Sequence, residues 1–162
     1  MRPAVDKKPG MLGILISVVI FASMVYSHCQ IPCGIYGDPA RFDMIVENMT
    51  SIEKSMKRIT GLSQQDKPDF NQIIRWVHKK EKHADELSHI VTCYFMAQRI
   101  KPADKAEGKA YEGYVEKLTL LHGMLVYSVK AKQTTDLSNV EKLKALLAEF
   151  RIAYFQAGAH KD

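Results

Sequence analysis

Apolar residues recur at steps of three and four along most of this 162-residue chain, and this spacing restricts the fold more than any other feature. Such a repeat places apolar side chains on one face of an α-helix. No segment has the two-residue alternation that is typical of a strand. We therefore expect residues 38–162 to form an all-α domain.

The first two stripes give the first half of that domain. A helix is expected to begin at Asp38-Pro39, with Asp38 as its cap and the proline in its first turn, and to stop at Gly61. Pro68 opens a longer second helix, which Lys101-Pro102 ends. The apolar faces are, in order, Ile45, Met49, Ile52, Met56 and Ile59, then Ile73, Val77, Ala84, Leu87, Val91 and Tyr94.

The second half repeats the pattern. A third helix is predicted to start near Asp104, and Ser128 interrupts its stripe, which Val129 continues. A fourth helix starts at Ser138-Asn139-Val140-Glu141, which matches a capping box. The apolar faces are Tyr111, Tyr114, Leu118, Leu121 and Leu125, then Val140, Leu143, Leu147, Phe150 and Tyr154. Four amphipathic helices with short connections predict an up-down four-helix bundle.

Residues 1–27 have the three-part layout of a secretory signal. A basic stretch precedes an apolar run over residues 11–26, and Val25-Tyr26-Ser27 offers small residues for a cut after Ser27. The run is shorter than the roughly 20 residues that span a bilayer. We expect a cleaved leader and an exported protein; the alternative is a membrane anchor formed by residues 11–26, so that membrane contact occurs only through an uncleaved leader.

Cleavage after Ser27 makes His28 the first residue of the segment 28–37, which we call the hook. Its sequence begins His28-Cys29-Gln30-Ile31-Pro32-Cys33. A free α-amine, the amide of Cys29 and two thiolates offer a plane of two nitrogens and two sulfurs, and the imidazole can reach an axial position. Such donors suit nickel or copper better than zinc, which prefers tetrahedral sites.

Charge argues against a nucleic-acid partner. The formal net charge is +5, but residues 1–27 hold three basic residues and one acidic residue, so their removal leaves +3. A modest excess mixed with many acidic residues is not typical of a DNA or RNA binder. It is compatible with attraction of a small anion.

The motif H-C-x-x-P-C-G-x-Y over residues 28–36 resembles the nickel hook of the nickel-containing superoxide dismutases. The resemblance implies that His28, Cys29 and Cys33 bind a nickel ion and that Tyr36 guards the open face of the metal. It also implies disproportionation of superoxide to dioxygen and hydrogen peroxide, with nickel alternating between its divalent and trivalent states. A homohexamer of bundles, in which a neighbour partly covers each hook, is implied as well.

The resemblance leaves the surroundings of the hook less defined. Gln30 occupies a position where the family often has an acidic residue. Family members orient the axial imidazole with a carboxylate near the start of the first helix, for which Asp43 is the candidate and Glu47 the alternative. A basic partner from the second helix would be Lys82 or His83.

Two rival functions use the same residues. A non-catalytic copper or nickel carrier would need the same donors, and a membrane-tethered helical protein would hold Cys29 and Cys33 as a disulfide.

Glu86 and His89 form half of a di-iron motif, but no second half is present in the sequence. We expect Cys93 to be a buried filler, and Lys79-Lys80-Glu81-Lys82 to be a solvated helix face. The Asn48-Met49-Thr50 triplet matches a glycosylation acceptor, but inside a helix.

Overall fold

Four α-helices account for most of the chain that the structure describes. The computed structural model describes residues 37–156; the predicted leader, the hook residues 28–36 and residues 157–162 lie outside the described residues. The helices are α1 (Asp38–Ser63), α2 (Phe70–His89), α3 (Lys109–Gln133) and α4 (Ser138–Gln156). A π-helix, Ile90–Arg99, continues α2, and a 3₁₀-helix, Lys105–Glu107, precedes α3. The all-α prediction is confirmed.

The helices bury the stripe predicted for α1, most of the stripe predicted for α4, and the second stripe from Ala84 onward. Helix α1 packs on α2 and α3 packs on α4, while contacts of α2 with α3 and of α1 with α4 join the two pairs. The fully buried side chains include Phe42, Ile45, Ile52, Met56, Leu87, Val91, Tyr94, Phe95, Leu121, Met124, Leu143 and Phe150. The bundle is therefore held mainly by apolar burial along its length. Within residues 37–156, no helix is long and apolar enough to cross a bilayer.

Helix α1 begins where the sequence predicts, but its first turn differs. Gly37 occupies the cap position without a side-chain hydrogen bond, and Asp38 is the first helical residue. The prediction of Asp38 as cap is wrong because its carboxylate binds side chains of other helices. Gly61 does not stop the helix, which continues to Ser63, since one glycine costs a helix only about 1 kcal/mol.

The start of α4 also differs from the prediction. The hydroxyl and amide of Ser138 both donate to the carboxylate of Asp136, at 2.7 and 2.9 Å. Glu141 pairs with Lys144 instead of reaching back to the helix start. The predicted capping box is therefore absent here, because Asp136 supplies a stronger acceptor two residues earlier. A capping box does form between Asp104 and Glu107, ahead of α3.

The buried face of α3 is rotated from the predicted one. Leu120, Leu121, Met124, Ser128 and Ala131 are buried, whereas the tyrosines of the predicted stripe are only partly covered. Ser128 does not interrupt the buried face, because its hydroxyl donates to the carbonyl of Ala84 at 2.9 Å and so is satisfied inside the bundle. Val129 is 51% exposed and does not continue the stripe.

Candidate metal centre and the adjoining end of the bundle

The predicted ligands His28, Cys29 and Cys33, together with Tyr36, lie outside the described residues. The first described residue, Gly37, directly follows Tyr36 in the chain. The bundle end at which α1 begins is therefore the part of the structure that the hook joins through the chain itself.

A cluster of polar side chains surrounds Asp38 at this end. The hydroxyl of Tyr94 donates to Asp38 Oδ1 at 2.5 Å, and the hydroxyl of Tyr154 donates to Oδ2 at 2.8 Å. Arg99 Nε lies 3.0 Å from Oδ1, and Arg99 Nη2 donates to the Tyr94 hydroxyl at 2.9 Å. We call these four residues the Asp38 anchor. It joins α1, the π-helix and α4.

The anchor keeps Asp38 ionised. Partial burial would raise the pKa of its carboxyl group, but hydrogen bonds from Tyr94 and Tyr154 and the charge of Arg99 outweigh this effect and hold the pKa below its usual value. Burial, together with the hydrogen bond to Asp38, raises the pKa of Tyr154. Both effects favour a carboxylate that accepts from two neutral phenols.

The π-helix makes the anchor possible. Tyr94 and Arg99 are five residues apart, and in an α-helix they would point in directions about 140° apart. Hydrogen bonds of the π type run between residues five apart, as from the Ile100 amide to the Phe95 carbonyl at 2.9 Å. The two side chains therefore lie on one face and both reach Asp38.

Aromatic packing supports the anchor from inside the bundle. The rings of Phe42, Phe95 and Phe150 lie with centroids 5.0 to 5.6 Å apart. Tyr94 packs edge-on against Phe95, with centroids 5.1 Å apart. The Tyr94 ring also lies near two guanidinium groups, those of Arg41 and Arg99, at 5.1 and 4.8 Å. Its hydroxyl is consequently held in one place.

A groove of about 680 Å³ opens beside the anchor, between the segment after the π-helix, the start of α3 and the end of α4. Four basic residues line it, namely Arg99, Lys101, Lys109 and Lys117. Asp38 and Glu107 are the acidic residues in its lining. Since Arg99 pairs with Asp38, the remaining charges leave the groove positive, which favours small anions.

The residues that the sequence suggests as partners of the hook lie on α1 and α2. Asp43 and Glu47 are exposed on α1. Lys82 pairs with Glu86 on the same helix, whereas His83 Nδ1 lies 2.8 Å from the amide oxygen of Asn48 on α1. Asp38 is the described carboxylate at the start of α1 that several side chains contact. These contacts were not predicted from the sequence, because an aspartate directly before a proline is also typical of a helix cap.

Cys93 is not the buried filler predicted from its neighbours. It is half-buried, and its Sγ lies 3.4 Å from His89 Nδ1. The reason is that the π-helix turns Tyr94 and Phe95 inward and leaves Cys93 toward the surface.

Within residues 37–156, no three His, Cys, Asp or Glu side chains come together in a way that could hold a metal ion. Asn48 is 6% exposed, so its amide is not open to glycosylation.

Fold and sequence together define a small all-helical protein whose polar cluster lies where the first helix begins, directly after a segment with histidine first and two cysteines. A model of the nickel-containing superoxide dismutase family matches residues 23–158. The chain belongs to this family. It is a nickel-dependent oxidoreductase, and superoxide is its substrate. No curated protein and no solved structure matched the chain.

Proposed function

We propose that the nickel ion of this superoxide dismutase is bound by the hook. His28 would supply its α-amine and imidazole, Cys29 its amide and thiolate, and Cys33 the second thiolate. The observation that carries the proposal is the family match, which includes residues 28–36. The donor set fits nickel, because nitrogen and thiolate ligands in a plane suit that ion.

The amine of His28 is available only if the chain is cut after Ser27. The family match begins at residue 23, so that residues 1–22 lie outside the part shared with the family. The signal-like composition of residues 1–27 supports an exported protein whose leader is removed. The functional chain would then comprise the hook, 28–37, and the bundle, 38–162.

Held by His28, Cys29 and Cys33, nickel would supply one-electron chemistry through its divalent and trivalent states, by which one superoxide is oxidised to dioxygen and a second, with two protons, is reduced to hydrogen peroxide. The residues of the chain control access. Tyr36 would stand over the open face of the metal, ordering water and limiting the approach of substrate. Lys101, Lys109 and Lys117 would raise the local concentration of the anion at the bundle end from which the hook departs.

A homohexamer is the proposed assembly. Large apolar side chains remain exposed in the described part of the chain, among them Phe70 (69%), Ile152 (57%), Ile74 (56%) and Phe155 (42%). Phe70 and Ile74 are four residues apart on α2, and Ile152 and Phe155 are three apart on α4, so the two members of each pair lie on one helix face. Copies of the same chain would cover these side chains, and a neighbour would partly cover each hook.

Replacement of either hook cysteine by serine tests the ligand assignment. We expect Cys29→Ser and Cys33→Ser to abolish nickel binding and dismutation while circular dichroism keeps the helical signal, because the apolar core of the described residues runs from Phe42 to Phe150 and contains neither cysteine. Cys93→Ser is the matched control, since Cys93 lies on the π-helix. Elemental analysis of all three purified proteins measures nickel per chain. Full nickel in either hook variant would refute the assignment.

Tyr36→Phe tests the role of the tyrosine. This variant should keep one nickel per chain, because the phenol is not a ligand, and should change turnover or inhibition by peroxide. Tyr111→Phe, on the first turns of α3, is a control for loss of a phenol elsewhere. Loss of nickel from Tyr36→Phe would contradict a role limited to access.

A further inference from the structure

The carboxylate of Asp38 has hydrogen-bond partners that are unusual for the first residue of a helix. Acidic residues in a first turn commonly accept from free backbone amides or face solvent. Here both carboxylate oxygens are occupied by side chains from elsewhere in the bundle, Oδ1 by Tyr94 and Arg99 and Oδ2 by Tyr154. The helix start is left without a side-chain cap.

This arrangement fixes the direction of Asp38. A carboxylate held through one oxygen can still rotate, whereas donors on both oxygens define its plane. Tyr94 is fully buried and packed against Phe95, so its hydroxyl is a rigid donor. Two elements distant in sequence, the π-helix and α4, therefore fix the position of Asp38 at the start of α1.

We infer that the Asp38 anchor positions the hook, as a device for metal retention and not only for folding. The inference rests on the proposed ligand assignment. Cys33 is five residues before Asp38, which limits their Cα atoms to about 18 Å, and Tyr36 is two residues before it, within about 7 Å. A fixed Asp38 thus confines the end of the hook, and ordering its end in advance slows the loss of a bound ion.

Glu53 offers a matched comparison. It is also a carboxylate on α1 that joins α1 to α4, through Lys144 at 2.7 Å, and it has Lys57 as a second partner. Like Asp38 it is kept ionised, since the hydrogen bonds from Lys144 and Lys57 lower its pKa to about 2. It lies 15 residues further along the helix, about 22 Å from the hook junction.

The experiment compares nickel release from the processed, nickel-loaded full protein and its Asp38→Asn and Glu53→Gln variants. Excess EDTA captures released nickel, and the nickel–thiolate absorption band reports the rate. We expect Asp38→Asn to release nickel about tenfold faster, the scale seen for partners that orient metal ligands, and Glu53→Gln to keep the wild-type rate. Tyr94→Phe and Tyr154→Phe remove one donor each without changing the packing and should give smaller increases.

The release rates decide whether the Asp38 anchor positions the hook. Equal release rates for Asp38→Asn, both tyrosine variants and wild type, with nickel that depends on Cys29 and Cys33, would overturn the anchor alone. Equal acceleration by Asp38→Asn and Glu53→Gln would reduce the anchor to a general contribution to stability and overturn its positioning role. Nickel that stays bound when both cysteines are replaced would overturn the ligand assignment and, with it, this role. If Asp38→Asn fails to fold, the two phenylalanine variants decide by the same rates.

Discussion

Lys80 illustrates how a single residue can depart from its sequence pattern. The run Lys79-Lys80-Glu81-Lys82 predicts a solvated face, yet Lys80 is 3% exposed. Its ammonium donates to the carbonyls of Lys132 and Thr134 at 2.7 and 2.9 Å, at the end of α3. Burial lowers the pKa of this amine. Nothing local in the sequence indicates this, because the acceptors are 52 and 54 residues away.

Lys80→Met should destabilise the bundle. The variant leaves two carbonyls at the end of α3 without their donor, and hydrogen bonds to charged groups are worth about 1.5–3 kcal/mol. Lys82→Met is the matched control, because Lys82 is exposed and pairs only within its own helix, so its change should be within about 0.5 kcal/mol. Urea unfolding measures both. A Lys80→Met variant as stable as Lys82→Met would show that the hydrogen bonds from Lys80 to the end of α3 do not stabilise the bundle.

Asp38 makes stability depend on pH in a defined direction. Its pKa is lower in the folded than in the unfolded protein, so its contribution is complete above the unfolded value of about 3.9 and is lost as pH falls through the folded value. We expect wild type to be more stable than Asp38→Asn at pH 7. The difference should shrink steadily below about pH 4. Unfolding curves from pH 7 to pH 2 test this, and a constant difference would contradict it.

At the scale of elements, the four α-helices could be predicted from apolar spacing, but the π-helix could not. Ile90, Val91, Tyr94 and Phe95 give the same stripe for either kind of turn. The wider π-helical turn is stabilised by tertiary contacts, because it lets Tyr94 and Arg99 contact each other and the carboxylate of Asp38 on α1. The expected role of Asp43 or Glu47 beside the His28 imidazole stays a prediction; both residues are exposed on α1.

The packing of α3 on α4 gives a test at this scale. A Cβ added at Gly123 would meet both methyl groups of Leu146 at 3.2 Å, whereas one at Gly113 would meet nothing within 4 Å. Gly113→Ala should stabilise the protein by about 0.5–1 kcal/mol through helix propensity. Gly123→Ala should gain less or lose stability, because Leu146 must shift. Thermal unfolding compares them, and an equal gain at both sites would contradict this close approach.

At the scale of the whole molecule, charge near the anchor should govern the encounter with superoxide. We expect kcat/KM to fall as salt rises, because ions screen the attraction between the groove and an anion. A triple variant in which Lys101, Lys109 and Lys117 are all replaced by glutamine should have a kcat/KM at low salt that is lower by up to about tenfold. The salt dependence of its kcat/KM should also be weaker. Lys67→Gln, in the linker between α1 and α2, is the control. An unchanged salt dependence in the triple variant would refute steering by this groove.

The sequence predicts the nickel hook but not the bundle-end cluster, because the residues that suggest the hook are nine consecutive ones, and the hook stays a prediction. Ligands from adjacent positions need only local geometry, and an amine as donor needs only a cut at the right bond. The Asp38 anchor draws residues from positions 38, 94, 99 and 154, which only the fold brings together.

The mass of the natively produced protein, measured intact under conditions that retain metal, tests whether the hook binds nickel through the amine of His28. We expect a chain that begins at His28 and carries one nickel ion. A chain that keeps residues 1–27 and still binds nickel would contradict the amine of His28 as a ligand. A chain without nickel, with Cys29 joined to Cys33, would contradict the hook altogether.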